Sequence, residues 1–126
     1  MAGTLVADTL KSSTANPPVF QNTSGVEIGQ LCRAWVNFNG VTTATIRASY
    51  NVSSVTRNST GNYTVNFINA MADANYARFI TQQTETSSSS ALTQFVSATV
   101  SAFRFITTDA AATLIDSPQI NVGIFR

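Results

Sequence analysis

Residues 31–52 read LCRAWVNFNGVTTATIRASYNV, and the alternation within them indicates the fold class. Small or apolar residues occupy every second position of its first half, namely Cys32, Ala34, Val36 and Phe38. Polar residues and one tryptophan lie between them, namely Arg33, Trp35, Asn37 and Asn39. Because side chains on a strand alternate between two faces, this period of two predicts a β-strand with one buried face.

The dipeptide Asn39-Gly40 follows this strand directly, and it is the strongest short-range signal for a β-hairpin. Both residue types tolerate positive φ, so we predict a two-residue turn with positive φ at both positions. The returning strand has a predicted apolar face made of Ala44, Ile46, Ala48, Tyr50 and Val52. The stretch therefore predicts an antiparallel hairpin.

The remainder of the chain after this hairpin alternates in the same way. We predict a turn at 58–61, followed by a strand carrying Tyr63, Val65 and Phe67. Further strands are predicted at 76–81 and at 92–105, the second of which is long or broken by a bulge. The last predicted strand carries Ile120, Val122 and Ile124. Residues 70–75 and 109–113 are predicted connections with at most one helical turn, and the polar run 84–90 a flexible loop. The expected fold is an all-β antiparallel β-sandwich of six to seven strands over residues 31–126.

The first thirty residues differ from the rest and predict an extended N-terminal arm. Pro17-Pro18 forces extended backbone, and Thr23-Ser24-Gly25 indicates a turn. The apolar residues around that turn come in pieces too short to bury themselves. Either the arm lies on the following domain or it meets neighbouring chains. In the second case it forms an anchoring or inter-subunit interface, whose candidate residues are Val19, Phe20, Val26 and Ile28.

The predicted interface also includes Trp35, which shares the polar face of the first strand. Three explanations stay open for this side chain. It covers a sheet edge or packs beneath the arm, it contacts another subunit because Trp is enriched at interfaces, or it forms a stacking platform for a sugar.

The composition favours a subunit of an assembly. Charged residues make up 10% of the chain, against a usual share of about 25%. Thr, Ser and Asn number 18, 14 and 11, about a third of the 126 residues. A surface with so few charges is poorly guarded against association, so we expect other proteins to cover much of it.

The charge pattern and hydropathy argue against other partners. The net charge is +1, with six Arg and one Lys spread along the chain. These basic residues form no stripe of the kind that would indicate nucleic-acid binding. No apolar run is long enough for a membrane span, and the start of the chain does not resemble a signal peptide. We expect neither nucleic acid nor membrane as a partner.

The residues also argue against catalysis. The chain contains no histidine, so a serine triad and a Cys–His pair are excluded. The six carboxylates lie scattered, and neither a phosphate-binding loop nor a zinc pattern is present. Asp73 and Asn75 are the weak candidates for a calcium site, but Asp-Ala-Asn is more typical of a turn. We expect no enzyme activity, no metal and no cofactor.

Several stretches together resemble a module that recurs in tail fibre and other structural proteins of marine and freshwater bacteriophages, cyanophages included. They are RAWVNFNG at 33–40, IRASYNVSSV at 46–55, GNYTVNF at 61–67 and DANY at 73–76, with ADTLKSST at 7–14 and Pro17-Pro18 ahead of them. The resemblance covers residues 7–76. It implies a homotrimer, and it brings no functional residues with it.

The expected function is therefore that of a non-catalytic virion structural protein, assembled in the host cytoplasm. Its expected form is a homotrimeric tail or capsid fibre subunit that contacts itself and other virion proteins. The alternatives are a capsid decoration or tail adaptor protein, and a receptor-binding module that recognises host surface glycan. A polysaccharide-degrading spike enzyme is the weakest alternative, because the chain lacks paired acids and is short for a β-helix.

Overall fold

The computed structural model describes residue 3 and residues 6–13, 17–83 and 92–126. The polar run 84–90, predicted to be a flexible loop, lies outside the described residues. The chain forms two compact units, Met1–Leu31 and Cys32–Arg126.

The second unit is an all-β antiparallel sandwich, which confirms the predicted fold class. Its strands are β3 (Cys32–Asn39), β4 (Thr45–Tyr50), β5 (Val52–Ser59), β6 (Asn62–Phe67), β7 (Ala77–Gln82), β8 (Leu92–Ala98), β9 (Ala102–Thr108) and β10 (Ile120–Phe125). They form two four-stranded sheets in the orders β4-β3-β10-β7 and β5-β6-β9-β8. The first unit contributes the short strands β1 (Phe20–Gln21) and β2 (Glu27–Gly29). The second unit thus has eight strands rather than six or seven, and no helix occurs in the described ranges.

The hairpin of β3 and β4 is present as predicted, but its turn is not. The two strands pair antiparallel with Trp35 opposite Tyr50. Neither Asn39 nor Gly40 has positive φ, and the left-handed residue of the connection is Thr42, at φ 62°. The reason is that Gly40 is held by other segments: its N–H donates to Ser117 O over 2.9 Å. Its carbonyl oxygen accepts from the Tyr63 hydroxyl at 3.1 Å.

The predicted return strand ends early, because the chain changes sheet at Asn51. This residue adopts φ 56°, which Asn tolerates better than other non-glycine residues. Its side-chain amide donates to Arg33 O and Asn69 O, and its Oδ1 accepts from the Asn69 N–H at 2.7 Å. Val52 therefore belongs to the second sheet and not to β4.

The predicted face of β4 is wrong in part. A register shift in the β3–β4 pairing leaves Arg47 as an extra residue, with Ile46 opposite Phe38 and Ala48 opposite Asn37. Such a bulge inverts the alternation. Tyr50 consequently shares the outer face with Trp35 and is 58% exposed.

The predicted strand at 92–105 is a hairpin instead. Strands β8 and β9 pair antiparallel across the tight turn 99–101, where the Thr99 N–H donates to Ala102 O at 2.8 Å. The Thr99 hydroxyl oxygen in turn accepts from the Ala102 N–H. Thr and Ser can close such turns through their hydroxyls, so no Gly, Asn or Pro marks this one in the sequence. The two predicted connections at 70–75 and 109–113 contain no helical turn.

The core lies between the two sheets and is rich in aromatic rings. Phe38 of the first sheet contacts Tyr63 of the second edge to face, with 5.4 Å between ring centroids. The Tyr63 ring contacts Phe105 at a centroid distance of 5.6 Å, and Phe105 stacks on Phe103 at 5.5 Å. The alternating inward residues of three strands are buried as predicted, namely Ala34, Val36 and Phe38, Tyr63, Val65 and Phe67, and Ile120, Val122 and Ile124.

Candidate functional site: exposed apolar surfaces and a polar cluster

The described part of the arm is a small β-ribbon. Strands β1 and β2 pair antiparallel with Phe20 opposite Gly29. The turn between them is predicted correctly: Asn22 Oδ1 accepts from the backbone N–H groups of Ser24 and Val26, at 3.0 Å and 2.9 Å. Gly25 completes the turn at φ 76°, a region that favours glycine. A side-chain oxygen that mimics a backbone acceptor explains why the chain reverses here.

The four predicted interface residues of the arm are all exposed. Val26 and Ile28 are 58% and 67% exposed, and the side chains of Val19 and Phe20 are exposed as well. A two-stranded ribbon has no second layer to cover its apolar side chains, so it is marginally stable in water by itself. We define Val19, Phe20, Val26 and Ile28 as the arm patch.

The fifth predicted interface residue, Trp35, belongs to the other unit. It lies on the outer face of the first sheet and is 40% exposed. Its register neighbours are Tyr50 on β4 and Gly123 on β10, and Phe79 on β7 lies opposite Gly123. The structure therefore groups Trp35 with exposed aromatic residues of the sheet. Sequence reasoning missed this group, because only the strand order brings residues 35, 50, 79 and 123 into one row.

The second unit also contains a polar cluster around Asp116. Its Oδ1 accepts from the Gly61 N–H at 2.9 Å and from the Tyr63 hydroxyl at 2.7 Å. Its Oδ2 accepts from Arg57 Nη2 at 2.7 Å, and Arg57 Nε reaches the same carboxylate at 3.0 Å. The cluster ties the β5–β6 hairpin to the segment before β10. Nothing in the sequence signals an ion pair between positions 57 and 116.

The electrostatics of this cluster, which we call the Asp116 clamp, suit a structural role. Burial by itself raises the pKa of Asp116, but the hydrogen bonds from Arg57, the Gly61 N–H and Tyr63 together outweigh it and lower the pKa below its usual value. Burial and the hydrogen bond to Asp116 raise the pKa of Tyr63 well above the usual value of a tyrosine. A carboxylate of low pKa, already accepting from three groups, is a poor general base.

The weakly predicted calcium residues form a surface turn. The Asn75 N–H donates to Asp73 Oδ1 at 2.7 Å, and Asp73 also pairs with Arg126. Within the described residues, no group of three or more His, Cys, Asp or Glu side chains could hold a metal ion. The same residues include no helix that could cross a membrane.

Comparisons with known proteins identify no relative. A scan against protein-family models gave no match, and neither the search of curated proteins nor the search of solved structures found a significant similarity.

Proposed function

We propose that the chain is a non-catalytic structural protein of a bacteriophage virion, a homotrimeric tail or capsid fibre subunit that contacts copies of itself and other virion proteins. The single observation that carries this proposal is the arm patch. Four apolar side chains lie on a ribbon that does not bury them, while the sandwich has a complete core of its own. The resemblance of residues 7–76 to phage structural proteins supports the choice of a virion.

The energetics of the arm patch favour association. Burying a Val, Ile or Phe side chain stabilises by about 1.5–3 kcal/mol. Ordering the backbone of each arm residue costs about 1–2 kcal/mol, so an isolated arm gains little from its own short strands. A docking surface on another chain offsets that cost and removes the patch from water.

The outer face of the second sheet also fits a subunit that packs against protein. It carries Asn and hydroxyl side chains that bond to one another: Asn66 Nδ2 donates to Ser54 Oγ at 3.0 Å, and Asn58 Nδ2 to Thr64 Oγ1 at 2.9 Å. Polar groups that are already paired are cheaper to remove from water than free charges. We expect this face to tolerate burial in an assembly.

The proposal of a non-catalytic role rests on the chemistry of the side chains. The chain has no histidine, and Asp116, the carboxylate with a shifted pKa, is engaged by Arg57, Gly61 and Tyr63. An acid–base pair for hydrolysis needs two carboxyl groups with different proton affinities on either side of a substrate. The Asp116 clamp offers one carboxylate, which already accepts hydrogen bonds from three groups.

The experiment that tests this function is electron cryomicroscopy of purified phage particles that carry the gene. We expect density for the sandwich at a position of three-fold symmetry, with the arm patch covered by a neighbouring chain. Single copies between larger capsid or tail proteins would support a decoration or adaptor protein instead. Particles that lack the chain would contradict the proposal.

A further inference from the structure

The outer face of the first sheet carries two parallel rows of residues with different chemistry. The aromatic row runs across the strands as Tyr50, Trp35, Gly123 and Phe79, each opposite the next in register. The amide row lies beside it and consists of Ala48, Asn37, Asn121 and Thr81. Neighbouring residues of a row are about 4.8 Å apart, the spacing of hydrogen-bonded strands.

The aromatic row exposes its rings to solvent. Tyr50, Trp35 and Phe79 are 58%, 40% and 63% exposed. Gly123 contributes no side chain between Trp35 and Phe79, and the nearest atom to a Cβ at this position is Phe125 Cε2, at 3.6 Å. Phe125 extends the row, because its ring contacts Phe79 edge to face at a centroid distance of 5.7 Å. A depression of about 510 Å³ lies there, lined by Ala77, Phe79 and Phe125.

The side chains of the amide row hydrogen-bond to one another and leave some of their donors and acceptors unused. Asn37 Nδ2 donates to Asn121 Oδ1 at 2.5 Å, and Asn121 Nδ2 donates to Thr81 Oγ1 at 3.2 Å. Each amide nitrogen carries two protons, so each retains one free donor. In the part of the chain that the structure describes, no hydrogen bond uses Asn37 Oδ1 or the hydroxyl proton of Thr81. The row therefore offers both donors and acceptors at a regular spacing.

We propose that this face binds an uncharged carbohydrate chain. A pyranose ring has one face of C–H groups and a rim of hydroxyls that both donate and accept. The negative face of an aromatic ring attracts the C–H face, and the amide row matches the hydroxyls. The two rows contain no charged residue, although Arg33 and Arg47 flank them on β3 and β4. Arg47 already donates to Pro118 O, and the groups within the rows suit the hydroxyls of a neutral sugar better than an anion.

A protein partner fits the same face less well. An apolar protein patch over the aromatic row leaves the donors and acceptors of Asn37, Asn121 and Thr81 without partners, which costs free energy when they are buried. The outward residues of the two rows include no Leu, Ile, Val or Met, and alanine is the one aliphatic type present. The inference rests on this sheet face alone and is independent of the arm and of the virion role.

The test starts with the purified full chain on a printed array of neutral and acidic oligosaccharides, followed by calorimetric titration of the neutral sugars retained. We expect binding to neutral sugars. Trp35→Ala and Phe79→Ala should each weaken it by about tenfold or more, the effect of losing one stacked ring. Asn121→Ala should weaken it too, because it removes the middle of the amide row.

Two further variants separate binding from folding. Gly123→Leu fills the space between Trp35 and Phe79, and a Cβ at this position meets only Phe125 Cε2, at 3.6 Å. We expect this variant to melt like the wild type and to lose sugar binding. Thr64→Ala, on the outer face of the second sheet, is the matched control and should bind normally.

Three outcomes would overturn the inference. One is that the array retains no neutral sugar at millimolar concentration. Another is that Trp35→Ala and Phe79→Ala bind as the wild type does. The third is that these two variants change the state of self-association while no sugar binds, which would assign the face to contacts between copies of the chain.

Discussion

Gly40 is required for a close approach of two segments rather than for its backbone conformation. A Cβ at this position would lie 2.4 Å from Tyr63 Oη, a side chain that is fully buried. The single proton of the Tyr63 hydroxyl lies between Asp116 Oδ1 at 2.7 Å and Gly40 O at 3.1 Å, so a displacement of the hydroxyl weakens this bonding. Gly40→Val should therefore lower the free energy of unfolding by about 2 kcal/mol or more, measured by urea denaturation.

Gly123→Val is the matched control for this prediction. Gly123 also has an ordinary φ, and its added Cβ meets only a ring carbon of Phe125. A β-branched residue is favourable in a strand, so this variant should be as stable as the wild type. Equal losses at both glycines would contradict the role assigned to Gly40.

The Asp116 clamp should make the stability of the fold depend on pH. The pKa of Asp116 is lowered in the folded state, so its contribution is present at neutral pH. It is lost as the pH falls below about 4, through the unfolded and then the folded pKa. Asp116→Asn should be less stable than the wild type at pH 7, and the difference should shrink in acid. A difference that stays constant from neutral pH to pH 3, measured by urea denaturation, would exclude the clamp as the cause.

The corner at Asn51 is the element that sends the chain from one sheet to the other. Asn51→Gly keeps the left-handed conformation but loses the three side-chain hydrogen bonds to Arg33 and Asn69. Asn51→Val loses the bonds and also strains the backbone. The valine variant should be less stable than the glycine variant by about 1–3 kcal/mol in urea denaturation. Equal stabilities would mean that the left-handed conformation at residue 51 has no energetic role.

The arm ribbon is the element that carries the proposed assembly. Val26→Asp places a charge within the arm patch and should reduce self-association in sedimentation velocity, because an unpaired charge resists burial. Val100→Asp is the control, since Val100 is also exposed but lies in the β8–β9 turn. Loss of association in both variants would point to a general effect of charge rather than to the arm.

The elements that could be predicted are those whose burial on one face leaves a period of two. This holds for β3, β6 and β10, whose inward residues are buried except Cys32 at the start of β3, which is half-buried. Features that depend on partners distant in sequence could not be predicted. The bulge at Arg47, for example, reversed the face of Tyr50. The β8–β9 turn could not be predicted for a local reason, because Thr99 closes it in place of a glycine.

Of the two candidate surfaces, one could be predicted from the sequence and the other could not. The arm patch could be predicted from the sequence, because short apolar pieces in a proline-containing segment cannot be buried by residues near them in the chain. The aromatic row is not, because residues 35, 50, 79 and 123 become neighbours only through the strand order β4-β3-β10-β7. A single sequence contains no signal for that order.

At the scale of the whole molecule, the core belongs to one unit. Every buried apolar residue of the described chain lies between Ala34 and Ile124. Residues 31–126 should therefore fold without the arm. The truncated chain should show the circular dichroism spectrum of a β-sandwich and the melting temperature of the full chain. Unfolding of this truncated chain would mean that the arm contributes to the core.

We propose that the arm joins copies of a self-sufficient sandwich into a trimer. The most direct measurement is sedimentation equilibrium of the full chain at micromolar concentration, beside residues 31–126 alone. We expect a trimer for the full chain and a folded monomer for the truncated one. A monomeric full chain, or a truncated chain that still forms the trimer, would contradict it.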